Sequence, residues 1–205
     1  MAVLPLNLLQ SLPFRIKGIV LYGSWARNAH LADSDMDILV ISDDVSAKRH
    51  RRGKEIALIK KTLATNIPLD ILLLTTQECI ANFKNHNPLF LDIAVEGNIL
   101  ADEGDFLKGL LKETKQYILD KDIRKCEDGW TFPVLYRKAA ALSQVSNKDF
   151  AFAMITDAER DFEIGVSIME KGFYDKAVYH FQQAVEKSVK GVLICFGIFK
   201  KTHFV

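Results

Sequence analysis

Between residues 18 and 41 the chain runs apolar, turns through Gly23 and Ser24, and becomes apolar again behind Asp35 and Asp37. Runs of this length, rich in Ile, Val and Leu and bounded by small and polar residues, read as strands. Residues 16–22 and 35–41 are therefore two strands separated by a loop, which commits the first half of the chain to a sheet. A helical pattern follows over 46–65, with Ser46 as its N-cap and Asn66 and Pro68 as its stop. Residues 69–75 read as a third strand, 77–85 and 88–95 as short helices, and 97–101 as a weak edge strand. From Asp105 onward no strand pattern stands out. The spacing predicts a helix over 105–119, a charged connector over 120–130, a helix over 132–145, and two long helices hinged at Gly172. Phe152, Ile155, Phe162, Val166 and Met169 form the apolar stripe of the first long helix. The stripe of the second runs from Ala177 to Phe196, with Gly197 as its stop. Short connections make such a pair an antiparallel hairpin. The organisation expected is an α/β (α+β) domain over 1–121, a linker and connecting helix over 122–149, and an all-α hairpin over 150–205.

A chain of 205 residues, 49% hydrophobic and 26% charged, has the make-up of a globular protein with a sizeable core. Its formal net charge of +1 gives no global attraction to nucleic acid or anionic lipid, so polyanion contact would need a local patch. Cys79, Cys126 and Cys195 stand far apart, with no Cys-x-x-Cys pair. That spacing suggests neither a zinc site nor a disulfide framework, and a cytoplasmic location is expected. The opening residues lack a basic stretch and are broken by Pro5 and Pro13, unlike a signal peptide. No apolar run nears the roughly 20 residues of a membrane span.

Chemistry concentrates around the two aspartates. In a strand beginning at Asp35, period-two alternation puts Asp35, Asp37, Leu39 and Ile41 on one face and Met36, Ile38 and Val40 on the other. Two carboxylates converging on one point repel each other, and a divalent cation removes that conflict. Hard oxygen donors suit magnesium, which binds through one or two carboxylates plus substrate phosphates. Asp70 heads another apolar run, where an acid is costly unless paired or metal-bound. If that strand lies beside the first, Asp35, Asp37 and Asp70 become candidate ligands for two magnesium ions, a device used in phosphoryl and nucleotidyl transfer. The Gly23-Ser24 turn lets backbone amides approach an anion, the Ser24 hydroxyl can donate to a phosphate oxygen, and Arg27 adds charge nearby.

Two plainer readings compete. Residues 33–37 match the start of an EF-hand calcium loop, but the sixth and twelfth positions are Ile38 and Asp44, where such a loop needs glycine and usually glutamate. Alternatively Asp33, Asp35 and Asp37 are turn residues before a strand, and Asp70 a turn residue after Pro68.

At these positions the sequence resembles the minimal nucleotidyltransferases of the DNA polymerase beta-like superfamily. The residues that carry the resemblance are Gly23-Ser24-Trp25-Ala26-Arg27, Ser34-Asp35-Met36-Asp37 and Asp70, together with Glu96-Gly97-Asn98-Ile99-Leu100 at the end of such a domain. The resemblance covers roughly the first hundred residues. It implies a mixed sheet, catalytic and metal-binding roles for Asp35, Asp37 and Asp70, and nucleotide binding by Gly23, Ser24, Arg27 and Ser34. It also implies ATP as donor, magnesium as cofactor, and a protein hydroxyl as a plausible acceptor. Asn28 departs from the glycine common after the arginine. Residues 172–190, with Lys201-Thr202-His203 beyond them, resemble a HEPN domain (higher eukaryotes and prokaryotes nucleotide-binding). The two modules together imply a toxin–antitoxin setting, in which a HEPN ribonuclease is silenced by AMP addition. The ribonuclease pattern of arginine, four to six residues, then histidine is missing from the last two helices, so this unit is expected to be incomplete or not a nuclease.

His180 and His203 read as packing or surface histidines. The run Lys48, Arg49, His50, Arg51, Arg52 and Lys54 reads as a solvated helix face. The expected function is magnesium-dependent transfer of a nucleoside monophosphate to an acceptor hydroxyl. The alternative is an antitoxin-like module that neutralises a nuclease by contact, without turnover. The apolar stripe of the last helix predicts a homo-oligomer packed through the C-terminal helices. The sequence leaves nucleic acid as a partner open.

Overall fold

The computed structural model describes residues 5–127, 129–135, 138–140 and 146–200. The chain divides into two compact units, residues 1–116 and 117–205.

The first unit is built on a four-stranded mixed sheet in the order β3-β2-β1-β4. Its strands are β1 (Gly18–Tyr22), β2 (Met36–Ile41), β3 (Leu69–Leu74) and β4 (Asn98–Asp102). β1 runs antiparallel to β2 and β4, whereas β2 and β3 run parallel. A parallel pair needs a crossover, here supplied by α2 (Gly53–Leu63). The helix starts later than its pattern predicts. Arg52 occupies the N-cap position and is 1% exposed, so Lys48 to Arg52 lie before the helix, with a short 3-10 turn at Arg49–Arg51, and of the basic run only Lys54 lies on the helix.

Alternation along the strands sends side chains into two separate cores. Val20, Tyr22, Leu39, Ile41 and Leu74 pack with α3 (Thr76–Lys84), α4 (Pro88–Glu96) and the start of α5 (Phe106–Asp120). Ile19, Met36, Ile38, Val40, Leu69, Ile71 and Leu73 pack with α2 and the 3-10 turn at Leu6–Ser11. α3 is capped by Thr75 in a capping box with Glu78.

The second unit holds the helical hairpin and a small sheet. α6 (Asn147–Glu170) starts at a Ser146–Asp149 capping box, and α7 (Tyr174–Cys195) follows the turn at Gly172, where φ is +83°. Three short strands, β5 (Arg124–Cys126), β6 (Gly129–Thr131) and β7 (Ile198–Lys200), form an antiparallel sheet in the order β5-β6-β7. These strands are an addition to the expected all-helical pattern, and two of them lie in the stretch read as a connector. Each is only three residues long, too short for alternation to show. Of the helix expected over 132–145, the described residues 132–135 and 138–140 form none, and the rest lie outside the described residues.

The large apolar side chains expected to form the α6 stripe face outward: Phe152 is 73% exposed and Phe162 56%. The seam is instead made of small residues at seven-residue spacing, Ala151, Ala158 and Gly165 on α6 and Ala177, Ala184 and Gly191 on α7, all buried. A Cβ at Gly165 would run into the Phe181 ring, and one at Gly191 would press on the Ala151 carbonyl at 3.2 Å. Small residues let the helix backbones approach closely. Among the described residues no helix is long and apolar enough to cross a membrane.

Candidate active site at one end of the mixed sheet

The C-terminal end of β1 and the N-terminal ends of β2 and β3 meet at one edge of the first unit. Antiparallel pairing sets Tyr22 opposite Asp37, and parallel pairing sets Asp37 beside Asp70. Residues paired across strands share a face. Tyr22, Asp37 and Asp70 therefore form a row across three strands, on the same face as Leu39, Ile41, Leu72 and Leu74. Asp37 is half-buried and Asp70 exposed. Asp35 is exposed and lies one residue before β2, so strand pairing does not draw it into the row. Among the described residues no group of three or more His, Cys, Asp or Glu stands close enough to hold a metal ion. The register joins Asp37 and Asp70.

The turn after β1 closes over this row. Gly23 has φ +71°, a left-handed conformation that disfavours a Cβ. A Cβ built there would land on Oδ2 of Asp37. Glycine at 23 thus allows both the turn and the close approach of the carboxylate. Gly23–Ala26 forms a single helical turn, α1. The Ser24 side chain is half-buried, and its carbonyl accepts from the Ala29 amide at 2.9 Å. Asn28 has φ +55°, which accounts for the departure at this position: asparagine, like glycine, tolerates the left-handed region.

Two other expected nucleotide contacts are engaged within the protein. Arg27 Nη1 lies 2.9 Å from Glu96 Oε2, pairing α1 with the end of α4. The Asn98 side chain donates to the Ala26 carbonyl at 3.2 Å, tying β4 to the same turn. Ser34 closes its loop, its hydroxyl accepting from the Leu31 amide at 2.9 Å and its carbonyl from the Trp25 indole at 3.0 Å. The Trp25 ring stacks on His30 with centroids 3.6 Å apart.

Tyr22 is a residue that sequence reading did not single out. It looked like the last apolar position of a strand, and only the register puts it beside Asp37. It is 8% exposed, and burial, followed by the charges of Asp37 and Asp70, pushes its hydroxyl above the ordinary phenol range, with Arg49 acting in the opposite sense. The donor set fits a hard divalent cation: Asp37 and Asp70 are adjacent oxygen ligands on one face, leaving other coordination positions for water and phosphate.

Comparison with known proteins gives two family matches. Residues 7–101 match the nucleotidyltransferase domain and residues 152–205 the HEPN domain. A Methanocaldococcus jannaschii protein named as a candidate protein adenylyltransferase, MJ1305, is 29% identical over 100 residues, covering 49% of this chain and 68% of that protein. A candidate toxin of the same organism, MJ1304, is 42% identical over 59 residues, covering 29% of this chain and 39% of that protein. The chain thus spans about two fifths of the length of the toxin relative. A solved nucleotidyltransferase-like protein from Exiguobacterium sibiricum aligns with 97% of this chain and 57% of its own, at 17% identity and a TM-score of 0.43. The acid row and glycine turn thus lie inside the region that matches the nucleotidyltransferase domain, and most of the helical hairpin lies inside the region that matches the HEPN domain.

Proposed function

We propose that this protein is a magnesium-dependent nucleotidyltransferase that moves AMP from ATP to a hydroxyl of a protein acceptor, in a toxin–antitoxin setting. The observation that carries this reading is the Asp37–Asp70 pair, with the Gly23 turn packed directly on the Asp37 carboxylate. The names of the two archaeal relatives, one a candidate adenylyltransferase and the other a candidate toxin, support the substrate and the setting.

In this reading the Gly23 amide and the Ser24 hydroxyl hold the β and γ phosphates. Asp35 and Asp37 would hold magnesium with the triphosphate, and Asp70 would complete the site for a second ion. Magnesium, when bound, neutralises charge on the triphosphate. The acceptor oxygen attacks the α-phosphorus, the bond from that phosphorus to the β-bridging oxygen breaks, and pyrophosphate leaves. The acceptor proton passes to Asp70, whose exposure leaves it open to an incoming hydroxyl. Arg27 and Ser34 act by fixing the loop around the phosphates, through Glu96 and Trp25 respectively.

Two further parts of the proposal concern context. Val178, Val185, Val192, Phe152, Phe162 and Phe196 are exposed along α6 and α7, which supports a homo-oligomer packed through these helices. The dispersed free cysteines suit a reducing cytoplasm.

The test is transfer of label from ATP to candidate proteins with magnesium present. Asp35→Asn combined with Asp37→Asn should lower transfer about a thousandfold or more, the scale of several kcal/mol of lost metal-assisted stabilisation. Undiminished transfer by the folded double variant would reject the assignment.

A further inference from the structure

The basic run from Lys48 to Lys54 is held more firmly than a solvated stretch requires. Arg52, buried within it, donates Nε to the Ser46 carbonyl at 2.6 Å, Nη2 to the Ala47 carbonyl at 3.3 Å and Nη1 to the Leu73 carbonyl at 2.9 Å. It also grips Glu78 with both ends of its guanidinium, at 2.6 and 3.0 Å. This clamp ties the loop ahead of the run to β3 and α3. Within the run, the Arg51 amide donates to the Lys48 carbonyl at 2.9 Å and closes the 3-10 turn.

The cations carried on the clamp are left to solvent. Lys48, Arg49, His50, Arg51 and Lys54 are all exposed. The other arginines of the first unit, Arg15, Arg27 and Arg52, each pair with a glutamate. Among the described residues Lys48, Arg49, Arg51 and Lys54 enter no ion pair. The acids nearest in sequence do not pair with them. Asp43 is engaged by Lys17 and Thr76, and Asp44 accepts from the Arg15 amide at 3.0 Å. One carboxylate oxygen of Glu55 is shielded from solvent. A chain of net charge +1 thus concentrates four unpaired cations on one fixed turn.

The company these cations keep selects the partner. Residues 46–55 carry no apolar side chain larger than alanine. Protein interfaces are anchored by aromatic and apolar side chains at their centre, and stable membrane anchoring takes a second signal beside a basic cluster. Single-stranded nucleic acid is held on aromatic platforms, and the run has no Phe, Tyr or Trp. A duplex carries one negative charge per roughly 1.7 Å of its axis, so charge alone supplies binding there. Guanidinium groups match phosphate oxygens in bidentate fashion, and a fixed turn spends less entropy on the contact than a mobile one.

We propose that the clamped turn from Lys48 to Lys54 is a docking surface for the phosphate backbone of a nucleic-acid duplex, reading charge and not sequence. This surface is independent of the transferase reading.

The experiment is fluorescence anisotropy of labelled RNA and DNA duplexes of about 20 base pairs, titrated with the full chain over salt from about 50 to 200 mM. The wild type should bind both in the micromolar range at the lowest salt, with a log–log salt slope of about −3 to −4, the value for four neutralised phosphates. Lys48→Gln, Arg49→Gln, Arg51→Gln and Lys54→Gln combined should weaken binding at least about a hundredfold at that salt and flatten the slope. Arg51→Gln alone should reduce the slope by about 1, which keeps the test decisive if the fourfold variant loses its circular dichroism spectrum. No duplex binding by the wild type, or equal affinity and slope in wild type and variants, overturns the proposal. A preference above about tenfold for one of the two duplexes, more than backbone charge supplies, overturns the charge-only reading. Binding to phosphatidylserine vesicles without binding to either duplex assigns the surface to a membrane and overturns it as well.

Discussion

In the first unit the large apolar side chains lie inside, on both faces of the β3-β2-β1-β4 sheet. In the α6–α7 hairpin many of them lie outside, and the seam is alanine and glycine. A sheet covered by helices on each face buries its alternate residues whatever their size. Two helices alone touch along one line, and close approach there selects small side chains, leaving Phe and Val for another surface. Charged groups do not follow that division. Arg52 is 1% exposed in the first unit, and Glu186, paired with Lys190 at 2.6 Å, is 5% exposed in the hairpin. What separates the two units is where their large apolar side chains lie.

Substitutions can probe that contrast. The largest effect on folding should come from Arg52→Met. It leaves Glu78 and the Leu73 carbonyl without their partner and should cost about 3 kcal/mol, as when one member of a buried ion pair is removed. Urea unfolding followed by the tryptophan signal measures it, and a loss below roughly 1 kcal/mol would mean the clamp is not a structural anchor. Gly23→Ala should cost about 1–2 kcal/mol from the left-handed φ, and it should suppress label transfer because the new methyl displaces the Asp37 carboxylate. Full activity in this variant would show that the turn does not set the carboxylate's position. The hairpin should respond in the opposite way. Val178→Ser with Val185→Ser, both exposed, should change unfolding by no more than about 0.5 kcal/mol while lowering the mass seen by light scattering to that of one chain. A wild type already of monomer mass would remove the oligomer proposal.

Much of the first unit was legible because its signals are local. Period-two alternation put Asp37 on the face of Leu39 and Ile41, and glycine at 23 announced a turn that other residues resist. What the sequence concealed depends on long-range pairing. Tyr22 joined the acids only through register, and Arg27 met Glu96 across sixty-nine positions. Ser46 was a sound local cap, but burial of Arg52 moved the helix start to Gly53. Stripe reasoning failed on α6 because it assumes the largest apolar residues face the partner, whereas close helix approach selected Ala151, Ala158 and Gly165. β5 through β7 were hidden by their length, and Arg124 and Lys125 gave their stretch the look of a linker.

The parallel pairing of Asp37 with Asp70 has a consequence for how this chain can change length. The crossover between β2 and β3 can absorb added residues within its loops at little entropic cost. A single residue inserted inside β3 ahead of Asp70 cannot be absorbed, because a one-step slip turns every side chain to the opposite face. With Leu69 held in register, it would send Asp70 toward α2 and set the inserted residue beside Asp37. Chain length is therefore tightly constrained within that strand and loosely constrained in the loops before it, so natural length variation in this domain should collect between residues 42 and 68 and avoid the strand itself.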